Sequence, residues 1–239
     1  SILIIILSIF QTIVGIGILF LGTPVLLLFG FEMIEVMTIL LPLSIINSVT
    51  NVIYLKKKFK RVDIDFKMRN YFFLICLPGI FIGLIVLKMF NNVLNFNLLV
   101  AFVIWSFLAI SFINKKKKIQ ISDAFKKVLI FLTGIIHGVT NSGGSLLSIL
   151  IVSTHSKNVN FIRYQIIFFY FFLALFHYLS ILLIFNFNFL DDLNLNYIVS
   201  LLVGIIIGNI LSNRINAAQL RNCIFVLAFV SSIFLITQA

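Results

Sequence analysis

Runs of about 20 apolar residues, the length that crosses a bilayer core as a helix, recur along this chain, and two of them are broken midway by small and polar residues. The first break carries Gly15, Gly17, Gly22, Thr23 and Pro24, and the second carries Gly138, Asn141, Ser142, Gly143, Gly144 and Ser145, about 126 positions later. In hydrocarbon every backbone N–H and C=O must find a partner, so a break is tolerated only where protein, a wet cavity or a ligand supplies one. Matching interruptions in two halves of a membrane chain point to a transporter's substrate site.

The composition agrees with a membrane chain: 62% of residues are hydrophobic and 10% charged, at a mean hydropathy of +1.19. Soluble domains carry about 25% charged residues. The net charge of +11 could suggest nucleic acid, but the charges sit in short loops between apolar segments. Residues 56–69 carry seven basic and two acidic side chains, and residues 114–127 carry six and one, net +5 in each. Both are expected on the cytoplasmic face, near anionic lipid headgroups, and no nucleic-acid partner is expected. Cys76 and Cys223 fall in apolar runs and read as small packing residues.

The fold expected is an all-α integral membrane protein in the cell (inner or plasma) membrane, crossing it several times. Two repeats divide it. Residues 1–113 hold a hairpin at 2–30 and helices at 36–55, 71–90 and 95–113; residues 114–125 are a cytoplasmic linker. Residues 126–239 hold a hairpin at 126–153 and helices at 162–186, 196–213 and 217–237. Asp65 matches Asp191 and Tyr71 matches Tyr197 at an offset of 126, while Gly79 matches Gly204 and Gly83 matches Gly208 at 125. The paired glycines have the small-xxx-small spacing of closely packed membrane helices.

Loop charge decides between parallel and inverted halves. If each broken segment spans fully, the Asp191/Asp192 loop falls inside, and the Lys157/Arg163 and Arg214/Arg221 loops fall outside, against the positive-inside bias. If each enters as two half-helices and turns back, every loop obeys it. The expectation is therefore two inverted repeats, each one re-entrant hairpin plus three transmembrane helices.

Residues 134–145 form the most polar interruption. Asn141, Ser142, Gly143, Gly144 and Ser145 are candidate donors, because a half-helix starting there aims its free N–H groups and positive dipole end at a ligand, which suits an anion. Gly15, Gly17 and Thr23 are candidates for the opposite wall. Shifting the second break back by 126 sets Gln11 opposite His137 and Asn51 opposite His177. His137, His177 and Asn51 are read as secondary lining, against the blander reading that they are hydrogen-bonded packing residues. Arg163 reads as a cytoplasmic arginine that snorkels, although it could attract an anion.

Gly15-Ile-Gly17 followed by Phe20-Leu21-Gly22-Thr23-Pro24 resembles the Gly-Ile-Gly-Gly-Gly-x-x-x-x-Pro signature of the TauE/SafE sulfite exporter family, and Gly134-xxx-Gly138-xx-Asn141-Ser142-Gly143-Gly144 resembles its second copy. Val62-Asp63 and Pro78-Gly79 extend the resemblance along the chain. It departs from the signature at Ile18 and Leu19, which replace glycines, at Asn141, which replaces the leading glycine, and at Leu150, where a proline is expected. The resemblance implies a duplicated membrane transporter exporting sulfite or other sulfur-containing anions.

The function expected is transport of a small anion such as sulfite, a sulfonate or another organosulfur acid, by alternating access around the two hairpins. A passive anion channel and a membrane-embedded His-dependent enzyme are the alternatives. No Asp or Glu lies in the core of an apolar segment, so neither catalysis nor a metal or other cofactor is expected.

Overall fold

A computed structural model describes residues 1–58, 64–90, 93, 95–116, 122–154, 159–185 and 195–212, with single positions between 219 and 237. The predicted helix 217–237, with Cys223, lies outside the continuously described residues. Apart from short turns those residues are helical, without strands.

The first broken segment is α1 (Ile2–Val14) and α2 (Ile18–Leu28). Helix α1 stops because Gly15 turns left-handed, at φ 92°, and returns its N–H to the Gln11 carbonyl at 2.8 Å. At 13 and 11 residues, the arms reach roughly 20 and 17 Å, short of a ~30 Å hydrocarbon core. Helix α3 (Met33–Lys58) follows. Next come α4 (Phe66–Tyr71), a π-helical turn (Phe72–Cys76) and α5 (Leu77–Phe90), joined in one rod, and then α6 (Phe96–Lys116).

The second broken segment is α7 (Asp123–Thr140) and α8 (Gly144–Thr154). Helix α7 begins three residues before the expected 126, because the Ser122 hydroxyl accepts the Phe125 N–H at 3.3 Å and carries the helix through a polar first turn. It ends like α1: Asn141 is left-handed, at φ 60°, and its N–H returns to the His137 carbonyl at 2.8 Å. Helices α9 (Val159–Phe185) and α10 (Leu195–Ser212) complete the described chain. Among the described residues, four helical stretches are long and apolar enough to cross a membrane: Met33–Lys58, Phe66–Phe90, Asn160–Phe185 and Leu195–Ser212.

The most extensive helix contacts pair α1 with α10, α5 with α7, and α3 with α9. Each long arm of a broken segment thus packs on a helix of the other half. Gly204 and Gly208 admit Ser8 and Thr12 of α1, while Gly79 and Gly83 face Gly134 and Gly138 of α7. A Cβ at Gly83 would overlap the Ile135 carbonyl and lie 3.0 Å from the Gly138 Cα, so backbone meets backbone there.

The π turn explains the change of repeat offset. Between Tyr71 and Gly79 the first half has one residue more than the second has between Tyr197 and Gly204. A π turn absorbs one extra residue in a helix. It lets Gly79 and Gly83 keep register with α7 while Tyr71, at the rod's start, donates its phenol proton to Asp123 at 2.5 Å. That bond holds the exposed Asp123 carboxyl below its ordinary range.

Charge separates the two ends. At one end Leu55 of α3 packs with Tyr164 of α9, beside Ile64 ahead of α4, and Lys127 lies over Tyr71. This end carries Lys56, Lys57, Lys58, Arg69, Lys126 and Lys127. At the other, Lys88 donates to the Ile184 carbonyl at 2.8 Å.

Candidate functional site

The two breaks meet through one hydrogen bond. The Asn141 side-chain N–H donates to the Thr23 hydroxyl at 3.2 Å, across 118 residues of sequence, in fully buried surroundings. Around it, residues at equivalent positions in the two halves meet different fates.

In the first half the buried polar groups satisfy one another. The Gln11 carboxamide oxygen accepts the Ile18 N–H at 3.0 Å, capping the first turn of α2 from inside the hairpin. Its nitrogen donates to the Ser44 carbonyl and hydroxyl, both at 3.1 Å, and to the Ser48 hydroxyl at 2.9 Å. Asn47 donates to the Ser8 hydroxyl at 2.7 Å, and Ser8 in turn to the Leu201 carbonyl at 2.8 Å. Asn51 donates to the Thr12 hydroxyl at 3.1 Å and to Asn47 at 2.9 Å, and accepts from Asn209 at 3.3 Å. Asn51 thus ties together α1, α3 and α10. Gly15 and Gly17 serve closeness: a Cβ on Gly15 would lie 2.7 Å from the Ile166 methyl, and one on Gly17 2.5 Å from the Gln11 backbone nitrogen.

In the second half the corresponding groups are orphaned. His137, opposite Gln11 in the repeat, and His177, opposite Asn51, are fully buried with their ring centroids 4.9 Å apart and interplanar angle 66°. None of their four ring nitrogens has a hydrogen-bond partner among the described residues. The Asn141 carbonyl oxygen, the Tyr170 hydroxyl and both polar atoms of Gln165 are likewise buried and unpaired. Native interiors satisfy at least about 90% of such groups, and each orphan costs about 1–3 kcal/mol. Those gathered about residues 141–144 mark where a polar guest is expected.

The serines do not act as free donors. Ser142 donates its hydroxyl proton to the Thr140 carbonyl at 3.1 Å, and Ser145 to the Ser142 carbonyl at 2.7 Å. What remains at the tip is the backbone: the Gly143 and Gly144 N–H groups make no hydrogen bond among the described residues. Gly143 packs on His137, and a side chain at 144 would overlap the Tyr170 ring. The missing Cβ lets the phenol lie on the first turn of α8. Two backbone donors at a helix start thus lie beside His137, which touches His177, and beside the Tyr170 ring, a donor set that complements an oxyanion.

Sequence reasoning brought His137, His177 and residues 141–145 to this place. It missed Tyr170, which sits in an apolar run on α9, where only tertiary packing reveals an unmet hydroxyl. The signal for Tyr170 was available: it precedes His177 by seven residues, which repeats one helix face. Among the described residues no three His, Cys, Asp or Glu side chains gather as metal ligands would.

Compared with known families, the chain matches the sequence model described as Sulfite exporter TauE/SafE over residues 1–235. No curated protein and no solved structure matches it.

Proposed function

Because the chain belongs to the sulfite exporter TauE/SafE family and is a multi-pass membrane transporter, we propose that it exports a small sulfur oxyanion, sulfite or a sulfonate, bound at the tip of the second broken segment. One observation carries the reading: equivalent buried polar residues are satisfied in the first half and orphaned in the second. The Gly143 and Gly144 amides and the Asn141 carboxamide nitrogen donate to the anion's oxygens. Tyr170, His137 and His177 close the shell from α7 and α9, with Ser142 and Ser145 holding the turn in shape. Thr23, Gly15 and Gly17 supply the opposite wall, where hairpin one abuts the site.

The movement proposed is alternating access by two inverted repeats, each a re-entrant hairpin with three spanning helices. Loop charge supports the inversion, the short arms α1, α2 and α8, of 13, 11 and 11 residues, support re-entrance, and the reciprocal packing of α1 on α10 and α7 on α5 supports two halves related by a pseudo-twofold. The complete burial of His137, Asn141 and His177 supports a carrier rather than an open channel.

Flux into proteoliposomes over a panel of sulfur and carboxylate anions tests this. Saturable transport of sulfite or a sulfonate is expected in the parent chain. Asn141→Leu and Gly144→Leu are expected to lower it at least tenfold; unchanged flux in both would sink the site, and non-saturable flux would sink the carrier.

A further inference from the structure

We propose that Arg163, with Asn209, forms a second oxyanion subsite at the basic end of the molecule, where the transported anion is loaded before it reaches the histidine pair. A snorkelling arginine would reach out into water, but Arg163 is only 8% exposed. Its Nη2 donates to the Asn209 side-chain oxygen at 3.3 Å, which orients the guanidinium, and its Nε has no partner among the described residues. No carboxylate pairs with it among the described residues. The charge also sits in the first turns of α9, at the positive end of the helix dipole, where a cation is unfavourable. A buried, unpaired guanidinium in that position is destabilising unless an anion completes it. The side of the fork bearing Nε and Nη2 matches two oxygens of one oxyanion.

The place of this group in the fold gives it a role. Arg163, Tyr170 and His177 follow at seven-residue intervals on α9, so they share one face with a drift of about 20° per interval. Fourteen residues place Arg163 roughly 21 Å from His177 along the axis. The two groups therefore cannot share one small anion. Asn209 also donates to Asn51 at 3.3 Å, which joins Arg163 to the polar network of hairpin one. Each hairpin then has an anion subsite, an arginine beside the first and a histidine pair at the second. The repeat position of Arg163 in the first half is Met37, so the charged station exists at the basic end alone. An exporter benefits from that bias: capture is strong on the cytoplasmic side and weaker on the release side.

This rests on the transport reading above, so the experiment separates the two. Sulfite transport by the full chain is measured in proteoliposomes from each face, and sulfite binding is measured calorimetrically in lipid-free detergent. Arg163→Gln is expected to raise the half-saturation concentration at the cytoplasmic face at least tenfold and to leave the outer face within twofold. Arg163→Lys, which keeps the charge and loses the fork, is expected to fall between. Equal half-saturation at both faces in Arg163→Gln, with parent transport intact, overturns the subsite and leaves the transport reading standing. If the parent moves no anion yet binds sulfite in an Arg163-dependent way, the transport reading fails and the subsite stands. Binding seen only as a retained phospholipid, lost in Arg163→Gln, makes the occupant a lipid phosphate and overturns the proposal. Matched thermal melting of the variants excludes misfolding.

Discussion

Gln11 and His137 hold the same place in the two halves, one turn before a left-handed cap, and show how a single residue decides between packing and binding. The carboxamide of Gln11 has both a donor and an acceptor, and all are used, on Ile18, Ser44 and Ser48. An imidazole at that position faces Gly143 and His177 instead, and finds no hydrogen-bond partner. The two substitutions to leucine should therefore differ in sign. Gln11→Leu strands the Ile18 N–H and the Ser48 hydroxyl and is expected to cost about 2–4 kcal/mol. His137→Leu removes two orphaned nitrogens and is expected to leave stability unchanged or raise it by about 1 kcal/mol, while transport falls. Thermal melting in detergent alongside flux reads both, and a His137→Leu protein as unstable as Gln11→Leu would refute the contrast. The sequence showed these residues to be equivalent, since the offset of 126 pairs them. It did not show which was satisfied, because Ser44 and Ser48 answer Gln11 from another helix, and their repeat mates Tyr170 and Ala174 cannot answer His137 in the same way.

Among the elements, the glycine pairs were legible as close-packing sites, but their partners were not. Gly79 and Gly83 do not meet the equivalent glycines of α10; they meet Gly134 and Gly138 of α7, and Gly204 and Gly208 meet Ser8 and Thr12 of α1. Small-residue spacing announces a close approach and says nothing of which helix approaches. Gly83→Ala poses the test. Alanine favours a helix by about 1 kcal/mol over glycine, yet its Cβ would strike the Ile135 carbonyl, which belongs to a rigid helix backbone and cannot swing aside. Overpacking of this kind costs about 1–3 kcal/mol, so a net lowering of the melting temperature is expected, and a rise would show that α5 and α7 separate without penalty. The π turn was half legible. The offset falls from 126 to 125 between Tyr71 and Gly79, which fixes one extra residue there, but a loop or a bulge could equally have held it. Helix continuity across an apolar layer favours the π turn, since a loop would leave several backbone groups unpaired in lipid.

For the whole molecule, the decisive property is which face each end of the bundle meets. The structure gathers Lys56, Lys57, Lys58, Arg69, Lys126 and Lys127 at one end with Arg163 just beneath, and that grouping does not depend on any membrane being present. The positive-inside bias then sets this end toward the cytoplasm, and the loading role of Arg163 follows from that orientation. A topology measurement tests the orientation and the inversion together. In a chain with Cys76 and Cys223 replaced by alanine, Lys157→Cys and Phe189→Cys are labelled with an impermeant thiol reagent from each side of oriented vesicles. Inverted repeats with re-entrant hairpins require Lys157→Cys to react only from the cytoplasmic face and Phe189→Cys only from the outer face. Parallel repeats with fully crossing broken segments require the reverse. Because Leu55 packs on Tyr164 and holds Arg163 beside Lys56, Lys57 and Lys58, a reversed labelling pattern would place the whole basic end outside, and the same buried guanidinium would favour capture from outside, turning the proposed exporter into an importer.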